Sequence, residues 1–561
     1  MAELILPPGL VLILAGILMM LVPRALGNIL LLLAPLGALA LVWSVPDGVS
    51  LTASFLGLTL ELVETDDLSR MFGTVFCIAA FGGGLYAMTQ TRTLELASAF
   101  IYAGSALGVV FAGDLVTVFV FWEIMAVTST VIVWCGGASA RKAGLRYAAI
   151  HFLGGVLLMA GIAGELAING STDFAAMDLS NAARWMIFAG FLVNAGAPPF
   201  SPWVPDAYPA ASWSGAVFLS AFTTKTAVYV LIRGFPGTDL LIWIGLFMIF
   251  YGIIFAILEN DMRRVLVYSI VNQIGFMLVA IGIGTELALN GAAAHAFTHI
   301  IYKATLLMSA GAVMQAAGTT RMSELGGLYR SMPLTTICAL VGAMAISALP
   351  FTSGYVSKSL LTGAASEAHH ALAWFGLTAA SAAAFLYVGL RYPWFTFFDG
   401  AKAEKTGNDP HVTMKVSMVL FAFLCVIFGF APNLLFGMLP DPVTYKLYSP
   451  EKIVLQLQLL FFAGLVFFLT LAWHRPTRTI TLDFDWFWRG FGLVLAKEFD
   501  LRSLSAWQGL MNMLLGVIQR AFARIYAHLG PSGALARTWP TGLMTFWTTV
   551  LLGAILILAY V

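Results

Sequence analysis

The sequence predicts an all-α, polytopic membrane protein. Of its 561 residues, 60% are hydrophobic and only 10% are charged, where a soluble domain carries about 25% charged residues. Mean hydropathy is +0.90. Apolar runs follow one another along almost the whole chain, most of them near the ~20 residues that a helix needs to span a bilayer. The net charge of +1 gives no basic face for nucleic acid.

The runs lie at 7–23, 26–43, 68–89, 94–112, 114–135, 145–168, 184–199, 213–233, 238–258, 263–285, 291–315, 332–366, 370–393, 412–438, 453–473 and 541–560. The first follows MAELILPPGL, which has Glu3 and no basic stretch, so it reads as a span and not a cleaved signal. Residues 49–63, VSLTASFLGLTLELV, alternate apolar and polar side chains and predict a short extracytoplasmic hairpin between the second and third spans. Residues 480–535 are the one long stretch without a span. They hold the aromatic DFDWFWRGF and then LLGVIQRAFARIYAHLG with Arg520, Arg524 and His528, the pattern of a helix lying along a membrane.

This divides the chain into N-terminal spans (1–93), a first bundle (94–258), a second bundle (259–395), peripheral spans (396–473), an amphipathic segment (474–540) and a final span (541–561). Basic residues fall in alternate loops: Arg24, Arg92, Arg141, Lys142 and Arg146, Arg263 and Arg264, Arg321 and Arg330, Lys402 and Lys405. The other loops include ETDD (64–67) and NGSTDFAAMD (169–178). The asymmetry predicts an extracytoplasmic N-terminus in a cell inner membrane.

Ionisable residues inside spans cost roughly 3 kcal/mol each on an insertion scale when they face lipid alone. This chain carries several. His295, His299 and Lys303 stand four apart in AAAHAFTHIIYKATLLMSAGA, on one stripe of a helix. Glu123 lies mid-span in VFVFWEIMAVTS, Lys225 in LSAFTTKTAVYVL, and Lys358 in PFTSGYVSKSLL. Each must face protein or water. Histidine titrates near neutrality, so the set suits proton relay. Lysine and histidine offer no anionic oxygen for Na⁺. The four cysteines, Cys77, Cys135, Cys338 and Cys425, form no CxxC pair and give no zinc or iron–sulfur signature. Two histidines on one helix face cannot bracket a haem iron, and the other clear intramembrane histidine is His151. No cofactor, metal or self-contained redox site is expected.

A weak internal repeat adds to this. NAGAPPF (194–200) and AISALPF (345–351) lie about 150 residues apart, and internal repetition is typical of transporters. Asn194, Pro198, Pro199 and Pro350 mark the broken-helix positions, because proline removes a donor from the helix ladder. Broken helices persist at membrane depth only where they are buried or line a polar cavity.

With these residues in view, the chain resembles the antiporter-like membrane subunits shared by complex I, membrane-bound hydrogenases and Mrp-type multisubunit Na⁺/H⁺ antiporters. The resemblance rests on GDLVTVFVFWEIM (113–125), PWVPDAYPAA (202–211), TTKTAVYVLIR (223–233), ENDMRRVLVYSIVNQIGFM (259–277), HAFTHIIYKATLLM (295–308) and GYVSKSLL (354–361). The VPDAY and TKTAVYVLIR forms resemble the D-type member of Mrp antiporters. The family implies a core of fourteen helices with two inverted five-helix repeats, helices seven and twelve broken; about two further helices follow here. It also implies a site: Glu123 on helix five, Lys225 on helix eight, His295, His299 and Lys303 as the central relay, and Lys358 on helix twelve. One departure stands out. The family carries a lysine nine residues before Trp203, and that position here is Asn194. Glu123 then needs another partner, for which Lys225 is the candidate.

The expected function is proton translocation within a monovalent cation (Na⁺)/H⁺ antiporter, with other membrane subunits, protons, Na⁺ and lipid as partners. The rival readings are a pumping subunit of a complex I or hydrogenase-type machine, a proton-conducting partner in inorganic-carbon uptake, and a scaffold that has lost transport.

Overall fold

In hydrocarbon every backbone N–H and C=O must be satisfied within the segment, so long apolar runs fold as helices. The computed structural model describes residues 6–400, 407–479, 482–529 and 540–560. The loop residues Lys402 and Lys405, and the parts of the 474–540 segment at 480–481 and 530–539, lie outside the described residues. The chain opens with α1 (Pro8–Met19), α2 (Arg24–Ser44), a hairpin, α3 (Asp67–Tyr86), α4 (Thr93–Val110), α5 (Leu115–Trp134) and α6 (Arg141–Asn169). Then come α7 (Ala182–Ala195), α8 (Trp203–Ala207), α9 (Gly215–Ala221) and α10 (Thr223–Gly234). The chain continues through α11 (Leu240–Leu258), α12 (Met262–Ile283), α13 (Glu286–Ala317), α14 (Pro333–Ile346), α15 (Ser353–Glu367) and α16 (Ala371–Ala384). It closes with α17 (Val412–Phe430), α18 (Asn433–Phe436), α19 (Pro450–Leu469), α20 (Gly492–Leu529) and α21 (Thr541–Tyr560). The protein is thus an all-α multi-pass membrane protein: among the described residues, 12 helices are long and apolar enough to span, and shorter apolar helices include α1, α7 and α14.

The hairpin forms as the alternation predicts. Strand β1 (Gly48–Phe55) pairs antiparallel with β2 (Leu58–Thr65). The two-residue turn uses Leu56 and Gly57, both at positive φ, which matches the twist of the strands. It is tied to the ends of the helices: the Glu61 N–H donates to Asp114 Oδ2 (2.8 Å), and Arg233 binds Glu64 and Asp66.

Two helices break where the proline motifs stand. The 184–199 run ends helical structure at Ala195, with Gly196 left-handed at φ 76°, and helix resumes only at Trp203. The 332–366 run is two half-helices, α14 and α15, joined by an extended turn in which Ala348 and Phe351 take positive φ. Positive φ at residues bearing a Cβ costs energy and persists only where the surroundings enforce it. A third interruption has no proline: the 213–233 run kinks at Phe222 between α9 and α10. The end of α16 continues as π-helix over Phe385–Arg391.

Helix α13 sits at the centre. It packs against α3, α9, α10, α12, α14, α15 and α17, and its middle turns are buried without interruption. The residues up to Phe484 form one compact unit, and Asp485 onward form a second containing α20 and α21.

Candidate functional site

The site grows from one stripe of α13. His295, His299 and Lys303 are fully buried, and burial all round the helix is what directs their polar atoms at neighbouring helices and not at lipid. The two imidazole rings lie nearly parallel, 6.1 Å between centroids.

His295 has partners on both ring nitrogens. Nδ1 lies 2.9 Å from Ser357 Oγ of α15, and Nε2 lies 3.1 Å from Gln273 Oε1 of α12. The tautomer decides which nitrogen donates. Thr298 Oγ1 also meets Ser357 Oγ at 2.8 Å, and the Tyr302 hydroxyl donates to Gln273 Oε1 at 3.2 Å. Both ring nitrogens of His299 lack a hydrogen-bond partner, although the Tyr302 ring lies 5.3 Å away. An unpaired nitrogen in a buried site is costly, about 1–3 kcal/mol, so this ring is poised for a mobile partner.

The three buried lysines share one kind of environment. Lys303 Nζ donates to the Leu266 carbonyl (3.0 Å) and to Ser269 Oγ of α12. Lys358 Nζ donates to the Ile346 carbonyl (2.7 Å), one of the carbonyls freed where α14 ends, and lies 4.9 Å over the Phe276 ring. Lys225 Nζ donates to the Ser220 carbonyl (2.6 Å), freed by the kink at Phe222, and to Thr224 Oγ1 (3.2 Å). Two of the three ammoniums therefore sit at the C-terminal end of a half-helix, where the backbone dipole is negative. Carbonyls and hydroxyls compensate all three, and none of the described ion pairs includes them. Lys225, His295, His299, Lys303 and Lys358 are all within electrostatic reach of one another's neighbours: His299 feels both terminal lysines, Lys225 and Lys358.

Glu123 departs from its expected place. Its expected pairing with Lys225 is not formed. The carboxylate is half-buried, its Oε1 has no partner, and it lies against Gly155 of α6, filling the space that a Cβ there would need. The Lys225 ammonium turns instead to the Ser220 carbonyl near the end of α9. Asn194, in the last turn of α7, is buried with Oδ1 unpartnered and lies beside the ring of His151.

Reading the sequence for charges alone misses the neutral half of the site. Gln273, Ser269 and Ser357 supply hydrogen-bond partners to His295 and Lys303, and Tyr302 shares Gln273. A buried carboxylate, Glu95 in the first turn of α4, was also missed. It accepts from Ser212 (2.6 Å) and Ser214 (2.5 Å) and lies at the very start of the expected 94–112 span. Several residues of the matched motifs prove architectural. Asp114 caps α5 through Thr117 N–H, Asp261 caps α12, and Asp206 makes a two-pronged ion pair with Arg146 that pins α8 to α6.

Known proteins resemble this chain in sequence and in fold. Residues 112–385 match the family model described as "NADH:quinone oxidoreductase/Mrp antiporter, TM". The chain is 29% identical over 357 residues to the A/B component of a probable K⁺/H⁺ antiporter of Rhizobium meliloti, covering 59% of this chain and 36% of that protein. It is 28% identical over 350 residues to the D component of a Na⁺/H⁺ antiporter of Alkalihalophilus pseudofirmus, covering 58% of this chain and 68% of that one. In fold it matches a chain of the Mrp complex from Dietzia sp. with TM-score 0.73 and 22% identity, over 99% of this chain and 62% of that chain. Over residues 112–385, just under half of its length, the chain therefore carries the membrane region that this family model describes for NADH:quinone oxidoreductases and Mrp antiporters.

Proposed function

We propose that the chain is the proton-translocating subunit of a multisubunit monovalent cation (Na⁺)/H⁺ antiporter, of the D type. The observation that carries this reading is the string of buried lysines and histidines centred on α13, held by carbonyls and hydroxyls. An ammonium compensated only by neutral dipoles exchanges its proton without first breaking an ion pair. When one member of the string gains a proton, repulsion disfavours charge on the next, and the proton is passed on. Lys225 receives protons on the first-bundle side, His299, Lys303 and His295 pass them laterally, and Lys358 releases them beside the second break. The orientation fitted by the basic loops is N-terminus outward in a cell inner membrane. The antiported cation crosses through another membrane protein of the same assembly.

The test is cation-dependent proton movement in inverted vesicles. Lys303→Ala and Lys358→Ala are each expected to lower it at least ~100-fold, the scale of a lost acid–base group. Exchange at the unsubstituted rate in both variants defeats the assignment.

A second reading, a pumping subunit of a respiratory oxidoreductase, is favoured by the family description, which names NADH:quinone oxidoreductase first. The two differ in company: electron-carrying partners recovered in mild detergent favour the second, and small antiporter subunits favour the first.

A further inference from the structure

The relay described above leaves one buried titratable side chain unused. His151 lies in α6, 1% exposed, and neither ring nitrogen has a hydrogen-bond partner. Its ring is boxed by Tyr147 (4.0 Å between centroids) and by Trp203 of the first break (4.6 Å). A phenylalanine fills such an aromatic box equally well. It does so without two unpaired polar nitrogens, each of which costs about 1–3 kcal/mol in a buried site. The buried Asn194 side chain lies beside the ring, but the aromatic box alone gives no reason for an imidazole here.

Its surroundings do. Gly155 stands one turn further along the same face of α6, about 5–6 Å away, and the Glu123 carboxylate rests against it with an unpartnered Oε1. Glu123 is half-buried, so it also reaches outward. Tyr147 stands one turn the other way, and its hydroxyl donates to Ser129 Oγ at 2.9 Å. The Tyr102 and Thr223 oxygens meet at 2.6 Å, and the hydroxyls of Tyr147 and Tyr208 lie near that pair. The next residue, Thr224, accepts from the Lys225 ammonium. A polar line thus runs from the half-buried carboxylate on α5, past the imidazole, through hydroxyls, to the first lysine of the relay.

We propose that His151 is a proton-relay residue of the first bundle, carrying protons from Glu123 to Lys225 through the Tyr147–Thr223 hydroxyl cluster. The inference rests on the proton-translocating reading above. One ring nitrogen takes a proton from the Glu123 carboxylic acid while the other gives one up towards the hydroxyls. The ring is left as the other neutral tautomer and is reset by rotation. Only N–H and O–H bonds form and break, and nothing is oxidised. In this arrangement the imidazole and Asn194 together occupy the face of the first break, and the imidazole supplies the titrating group that Asn194 lacks.

The experiment compares cation-dependent proton movement in inverted vesicles for the full chain with its native membrane partners, using His151→Phe, His151→Phe with Asn194→Lys, and Lys303→Ala. The expectation is a fall of at least ~10-fold for His151→Phe, with the added lysine at 194 restoring a third or more of the lost rate. Restoration separates a relay from a packing defect, because a misfolded bundle is not repaired by a second buried charge. His151→Phe within twofold of the unsubstituted rate, with Lys303→Ala silent, overturns the His151 proposal and leaves the α13 relay standing. If Lys303→Ala also transports normally, the relay reading itself falls. If His151→Phe fails to accumulate in the membrane, His151→Gln, which keeps the polarity but cannot titrate, takes its place. Full activity in that variant likewise overturns the proposal.

Discussion

The ammonium of Lys303 rests on a backbone carbonyl and a serine hydroxyl, and that choice of partners defines the chemistry. A buried carboxylate would hold the charge in place as an ion pair, whereas neutral acceptors leave the lysine free to gain or lose its proton. Gln273 plays the complementary part by accepting from both His295 and Tyr302. Gln273→Leu is expected to slow proton movement about 10-fold or more. It is also expected to destabilise the protein by about 1–3 kcal/mol through the polar groups left unpaired. Vesicle flux and thermal melting in detergent read the two effects separately. The buried charged residues of the proposed relay were conspicuous in the sequence because intramembrane charge is rare. Gln273, Ser269 and Ser357 were not, because an amide or hydroxyl in an apolar run carries no such signal until its neighbour across the helix interface is known. Glu123 shows the opposite failure: its place in mid-span was evident, but not that its carboxylate would lie against Gly155 of α6.

At the scale of elements, the two proline-marked breaks were readable as places where helix must stop. The sharper question of what holds them open is answered by packing. Gly354, at the start of α15, sits so close to the Ala345 carbonyl that a Cβ has no room. Gly354→Val is expected to force the half-helices apart and cost about 1–3 kcal/mol, as overpacking does, seen as a lower melting temperature in detergent. The β1–β2 hairpin offers a pH test. Burial, together with the charges of Glu64, Asp173 and Asp114, raises the Glu61 carboxyl above its ordinary value of 4.5. The folded state thus holds that proton more tightly than the unfolded chain. Stability is lost as pH rises from the ordinary value through the folded one. Glu61→Gln is expected to melt with the unsubstituted protein below that window and slightly above it at neutral pH, as judged by melting curves from pH 4 to pH 8.

For the whole molecule, fold class followed from hydropathy alone, because lipid leaves a backbone few alternatives to helix; of the sixteen expected spans, 12 appear among the described residues as helices long and apolar enough to cross a bilayer. The amphipathic segment was set apart from residue 474, and the first compact unit ends a little later, at Phe484. A chain ending at Phe484 is expected to accumulate in membranes and elute as a single species in detergent, because α13 and every helix packed on it lie before that point. The central claim is that protons pass along lysines and histidines held by neutral groups. It is tested most directly by placing a carboxylate in the line. Ser269→Asp puts an acid where Lys303 now meets a hydroxyl, and Ser269→Asn serves as the neutral control. In inverted vesicles, the account predicts that Ser269→Asp falls to the level of Lys303→Ala while Ser269→Asn retains measurable cation-dependent proton movement. Movement through Ser269→Asp at the unsubstituted rate would contradict it.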